Sequence, residues 1–199
     1  MRNFSFSSTN ELSIFLKDNS FQKVFVICGD KSYKLSGAEK ILSNLLIEKK
    51  TKYFFKKFAY TDLVELEKII VELKNFSPDL IIGIGGGSVI DYAKIANVLT
   101  NSVNLRKEIS NSTYRIDKKF TKLIVIPTTA GSGAEVTANS VVYIDKIKHS
   151  VEGEELKPDH FFLLPELVIS ASKKIKSSAG FDAIAQAIES LISKKSNEK

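Results

Sequence analysis

Short, wholly apolar runs alternate along this chain with segments whose apolar residues recur at helical spacing. That alternation constrains the fold more than any other feature. Residues 24–28 (VFVIC) read as a buried strand closed by Gly29-Asp30, and Ile41, Leu42, Leu45 and Leu46 mark a helix within 37–49. Tyr53-Phe54-Phe55 is a second strand. Thr61 and Asp62 then open a helix through Leu63, Leu66, Ile69, Ile70 and Leu73, with Thr61 as the expected cap and Asp62 favouring its positive end. Residues 80–84 (LIIGI) are apolar throughout, as in a strand covered on both faces, and run through Gly85-Gly86-Gly87-Ser88 into a helix over 89–99.

A polar stretch over 100–121, long for a loop, precedes a fourth strand at 123–126 that Pro127 stops. A small β segment follows at 140–144 and 149–151 around a turn at Asp145-Lys146, then a last strand at 161–164 and a helix over 180–192. Strand, helix, strand, helix, strand, glycine turn, helix is the order of an open α/β sheet.

The net charge of +6 would suit nucleic acid or a membrane surface if it were clustered. The lysines are scattered, and Lys194, Lys195 and Lys199 form a polar tail, so a solvated surface is expected, with neither nucleic acid nor membrane as a partner. The single cysteine, Cys28, excludes an internal disulfide and a Cys-based zinc site, and its apolar surroundings predict a buried, inert thiol. The first residues lack the apolar stretch of a signal peptide, and no run reaches the about 18 apolar residues of a membrane span, so a cytoplasmic protein is expected.

Two turns carry the candidate chemistry. In Gly83-Ile84-Gly85-Gly86-Gly87-Ser88 the glycines let backbone approach a phosphate, and the free N–H groups of a first helical turn bind anions. The same turn also serves purely structural ends, and Asp91, one turn on, suits either a cap or a ligand contact. Pro127-Thr128-Thr129-Ala130-Gly131-Ser132-Gly133-Ala134-Glu135-Val136-Thr137 follows the fourth strand and should emerge at the same sheet edge, where open α/β sheets bind ligands. Two such loops at neighbouring strand ends argue for a dinucleotide cleft. On the last helix Asp182 and Gln186 share a face, which suits a cation, or a dipole-complementing Asp beside a solvated Gln.

In this order Gly85-Gly86-Gly87-Ser88 with Asp91, residues 127–137 and residues 180–190 resemble the iron-containing (group III) alcohol dehydrogenase family, of the dehydroquinate synthase-like fold. The resemblance implies a Rossmann-like open parallel sheet with helices on both faces over 1–178, and at 179–199 the first helix of an all-helical metal and substrate domain. It implies that Gly86, Gly87, Ser88 and Asp91 hold the pyrophosphate and neighbouring parts of NAD or NADP, that Thr128, Thr129 and Thr137 line the rest of the cleft, and that Lys148 contacts the cofactor. Asp182 matches the first ligand of a divalent metal, iron or zinc, which in the family polarises the substrate oxygen during hydride transfer.

The chain also departs from the pattern. Gln186 stands where the family usually has His, a substitution familiar in a branch that includes phosphonoacetaldehyde reductases. Two further His ligands of the family have no counterpart, since His149 and His160 both precede Asp182 and are expected to be surface or structural residues. The expected partners are a small aldehyde or alcohol, a separately encoded C-terminal half and a second copy of the chain; a catalytically inactive nucleotide-binding remnant is the competing expectation. Lys57, after the second strand, matches the place of an acid that favours NAD, so a preference for NADP is expected unless Lys56 and Lys57 merely solvate the strand end.

Overall fold

A computed structural model of the chain describes residues 6–193, so Lys194, Lys195 and Lys199 lie outside the described residues. In chain order the elements are α1 (Thr9–Asp18), β1 (Lys23–Gly29), α2 (Asp30–Leu35), α3 (Ala38–Leu45), β2 (Lys50–Lys56), α4 (Leu63–Phe76), β3 (Leu80–Gly85) and α5 (Gly87–Val98). There follow α6 (Leu105–Ser110), β4 (Lys122–Pro127), β5 (Asn139–Ile144), β6 (Ile147–Glu152), β7 (His160–Phe161), α7 (Pro165–Ile169) and α8 (Lys173–Ile192). The strands form a five-stranded parallel sheet in the order β2-β1-β3-β4-β7, with β5 and β6 apart as an antiparallel hairpin.

The expected Rossmann-like α/β architecture is what the chain adopts. Successive strand residues point to opposite faces, and each face has its own core. Phe25, Ile27, Ile81, Leu123 and Val125 pack under α4, α5 and α6 together with Val142, Ile144 and Val151 of the hairpin. On the other face Val26, Cys28, Ile82, Ile84 and Ile124 pack under Leu12 and Leu16 of α1, Tyr33 of α2, Leu42 of α3 and Leu167 of α7. Burial, helped by Asp30 and Glu39 nearby, pushes the Cys28 thiol up to about 12, so it stays a neutral apolar filler.

Several local features differ from the sequence reading, each for a visible reason. Helix α1 was not expected, although Ser8-x-x-Glu11 forms a full capping box. The helix expected over 37–49 is α3 alone, ending at Leu45; α2, which precedes it, was not expected, and Gly37 at φ +85° turns the chain left-handed between the two. Asp62, not Thr61, caps α4, its Oδ1 accepting from Val64 N–H at 2.9 Å. Thr61 instead donates its hydroxyl to Ser88 O at 3.3 Å. Helix α8 starts at Lys173 on a Ser172 cap, well before Gly180, so position 178 lies inside one continuous helix. The hairpin turn falls where expected, with Asp145 and Lys146 both at positive φ, as two-residue hairpin turns require.

Helix α5 lies flush on the sheet because Gly83 of β3 has no side chain beneath it. A Cβ there would come within 3.0 Å of Ala93 Cβ and 3.4 Å of Val125 Cγ1. Gly83→Val therefore lifts α5 and should cost about 2 kcal/mol by overpacking. Thermal unfolding followed by circular dichroism should show a melting temperature at least about 4 °C lower, and an unchanged one would refute the packing argument.

Candidate functional site

The strand order reverses between β1 and β3, since the chain leaves β1 for β2 on one side and returns to β3 on the other. Crevices at such reversals, beyond the carboxyl ends of the strands, are where open α/β sheets take ligands. A cleft of about 610 Å³ opens there, at the amino end of α5. One wall is Gly87, Ser88 and Asp91 of α5, and a second is Thr129 and Ser132 of the loop after β4. Tyr60 and Thr61 of the β2–α4 loop, Val141, Tyr143 and Lys148 of the hairpin, and Lys174, Ala179 and Asp182 of α8 close the rest.

The amino end of α5 is shaped for an anion. Gly86 is its N-cap and offers no side chain to satisfy the first N–H groups, which carry the positive end of the helix dipole. The neighbouring loop presses close to this turn. A Cβ on Gly86 would lie 3.2 Å from Thr129 Oγ1, and one on Gly87 would lie 2.9 Å from Ser132 Oγ. Thr128, itself buried, fixes the approach by donating its N–H to Gly85 O at 2.9 Å.

Asp91 stands one turn further in. Burial pushes its carboxyl up to about 6, while Lys94, Ser140, the Val141 N–H and Lys148 draw it back towards the ionised form. Ser140 Oγ, fully buried, lies near that carboxylate without reaching hydrogen-bond geometry to any partner.

Three residues that the sequence reading did not single out hold the walls in place. Lys94, fully buried on α5, donates from Nζ towards Ala134 O (3.0 Å), Thr137 O and Oγ1 (both 2.9 Å) and Asn139 O (2.6 Å). Burial draws its ammonium down to about 8, opposed by Asp91 and Glu135. Glu65, also buried, accepts from Lys57 N–H at 2.7 Å and from Tyr92 Oη at 2.8 Å, and Tyr92 Oη accepts from Asp62 N–H at 2.6 Å. That network fixes the loop carrying Tyr60 and Thr61, and the Tyr60 ring sits 5.0 Å from that of Tyr143. The place of Lys94 between the apolar residues Ala93 and Ile95 of α5 was the available signal.

Of the residues singled out from sequence, Gly87, Ser88, Asp91, Thr129, Lys148 and Asp182 line the cleft together, with Gly86 and Thr128 directly behind them. Thr137 is not on the wall; it is engaged beneath Lys94. Lys57 is exposed and away from the lining, while Lys56 turns its Nζ to Phe58 O at 2.7 Å. Gln186 follows Asp182 by one turn of α8, exposed and outside the lining. His149 lies on β6 opposite Val142, and the His160 ring packs edge-on against Phe15 at 4.7 Å; neither faces the cleft.

The donors present do not fit a complete divalent-metal site. Catalytic zinc sites take three protein ligands and leave one position open. Asp182 and Gln186 give one carboxylate and one amide oxygen, and among the described residues no group of three His, Cys, Asp or Glu side chains comes together. The described residues also include no helix long and apolar enough to cross a membrane.

Comparison with known proteins agrees with this geometry. Residues 3–165 match the family model for iron-containing alcohol dehydrogenase. An alcohol dehydrogenase of Thermococcus barophilus is 35% identical over 130 residues, covering 62% of this chain and 34% of that protein. Long-chain-alcohol dehydrogenase 1 of Geobacillus thermodenitrificans is 34% identical over 143 residues, covering 68% of this chain and 36% of that protein. The solved iron-containing alcohol dehydrogenase of Thermococcus thioreducens superposes with a TM-score of 0.83 at 26% identity, covering 97% of this chain and 52% of the other. The chain thus spans about half the length of that solved relative and about a third of the two curated ones. From sheet order, cleft and these matches together, the chain belongs to the iron-containing alcohol dehydrogenase family.

Proposed function

We propose that this chain is the nicotinamide-dinucleotide-binding part of an oxidoreductase that interconverts small alcohols and aldehydes. The observation that carries the reading is the amino end of α5, uncapped by any side chain and facing a cleft at the reversal of the sheet. The N–H groups of Gly87 and Ser88 bind the pyrophosphate, and the Thr129 and Ser132 hydroxyls donate to it from the facing loop. Lys148 supplies a cation from the hairpin, and Asp91 accepts from a hydroxyl or amide of the ligand. When bound, the dinucleotide supplies or accepts a hydride.

In this reading residues 1–178 hold the dinucleotide and 179–199 begin the part that holds metal and substrate. Asp182 and Gln186 supply two donors to a divalent ion, and the remaining ligands come from outside residues 1–199. Helix α8 has the surface for such a partner. It buries none of its residues, and Phe181, Ile184, Ile188 and Leu191, at helical spacing, are each more than half exposed. A C-terminal part of the same enzyme, covering that stripe and completing the ligand set, is the occupant this reading requires.

Binding is tested by titrating NADH and NADPH fluorescence. Saturable binding of at least one is expected, weakened about tenfold or more in Gly87→Val, whose branched side chain would displace Ser132 and cover the N–H groups. Equal binding by the two proteins would overturn the assignment of the turn.

Asp91 gives a second test through pH. Its folded carboxyl at about 6 lies above the ordinary value of 3.8, so the folded state holds the proton more tightly than the unfolded state. The group therefore costs stability progressively as pH rises from 3.8 to about 6, and the full cost remains above that. Asp91→Asn removes it, and at pH 7 the variant should be more stable than wild type by at most about 3 kcal/mol. Urea unfolding across this range should show the difference vanish by about pH 4; a wild type more stable at pH 7 would contradict the burial argument.

A further inference from the structure

Lys94 is the least exposed of the polar side chains buried among the described residues. It is fully buried in α5, with its ammonium directed at Ala134 O, both oxygens of Thr137 and Asn139 O, all within 3.0 Å. These acceptors lie at the far end of the loop whose near end, Thr129 and Ser132, faces the amino turn of α5. Near-end anchoring comes from the Thr128 N–H bond to Gly85 O, so the loop is held at both ends to the β3–α5 unit.

From this two-ended attachment we infer that Lys94 is a positioning residue for the dinucleotide: it sets the distance between the Thr129–Ser132 wall and the amino end of α5, and so the affinity of the cleft. An ammonium donates three hydrogen bonds and accepts none. It gathers carbonyl oxygens that would otherwise repel one another, which no apolar side chain of the same length can do. Without it the carbonyls of 134–139 lose their shared partner and turn to water, and the loop lifts from α5. The hairpin is affected too, since Asn139 begins β5. Lys94 is not itself part of the cleft lining; it reaches a ligand through the loop and, one turn away, through the charge of Asp91.

This inference rests on the proposed dinucleotide site, and its test separates the two. NADH and NADPH affinities are measured for wild type, Lys94→Met, Lys94→Arg and Leu42→Ala, well below each melting temperature. Leu42 is a core residue of α3 on the opposite face of the sheet, and serves as a control for lost stability alone. Lys94→Met should bind about tenfold more weakly or worse. Lys94→Arg keeps a charged donor but has a broader head, and should fall between methionine and wild type. Leu42→Ala should bind like wild type despite its lower melting temperature.

If Lys94→Met does not fold, the arginine variant against wild type still reads the effect. Wild-type affinity in Lys94→Met, an arginine variant no tighter than methionine or as tight as wild type, or an equal loss in Leu42→Ala would overturn the inference. If wild type binds neither dinucleotide, the functional reading fails, and hydrogen exchange of 128–139 tests Lys94 alone. Faster exchange there in the variants, with β1 unchanged, supports its hold on the loop, and unchanged exchange overturns it.

Discussion

The close seating of α5 on β3 is the contact on which the cleft depends. Gly83 lets the helix come down onto Val125 and the sheet, and that depth puts the amino turn of α5 level with the carboxyl ends of β3 and β4. The loops on either side of the site are then hung from this helix. Tyr92, with Glu65, reaches one way to the β2–α4 loop, and Lys94 reaches the other way to the loop after β4. Asp91 faces the hairpin between them. Buried polar groups of this kind are costly unless satisfied, and once satisfied they fix a single geometry.

Sequence pattern made the frame legible. β1, β3 and β4 are buried on both faces, so their apolar runs needed no context, and the glycine turn after β3 stands out because few residues can follow a strand into a helix so tightly. Helix α1 was equally visible in principle, through its capping box, but it is short and buries only Leu12 and Leu16. The start of α8 was hidden because Gly180 resembles a boundary while Ser172, an ordinary serine, is the actual cap.

The site was less legible than the frame, for a physical reason. Gly87, Ser88 and Thr129 advertise themselves as residue types, whereas the partners of Lys94 are mostly backbone carbonyls, which no side-chain pattern reveals. Composition misleads at the same place: among the described residues most lysines are solvated, and the fully buried Lys94 is indistinguishable from them by residue type. Thr137 illustrates the converse, for its hydroxyl lies within the matching motif yet is engaged by Lys94 rather than directed into the cleft. The metal ligands divide in a similar way, since Asp182 reaches the cleft and Gln186 does not, and two oxygen donors on an exposed helix are half of a coordination sphere at most.

The central claim is that a nicotinamide dinucleotide sits with its phosphates on the amino end of α5. Amide chemical-shift mapping of the nitrogen-15-labelled chain during titration with NADH and NADPH tests it most directly. The largest saturable shifts are expected at Gly87, Ser88 and Thr129, with smaller ones at Tyr143 and Lys148 across the cleft. Saturable shifts confined to another surface, such as the depression bordered by Val103 and Arg115, or no saturable shifts with either cofactor, would contradict the account.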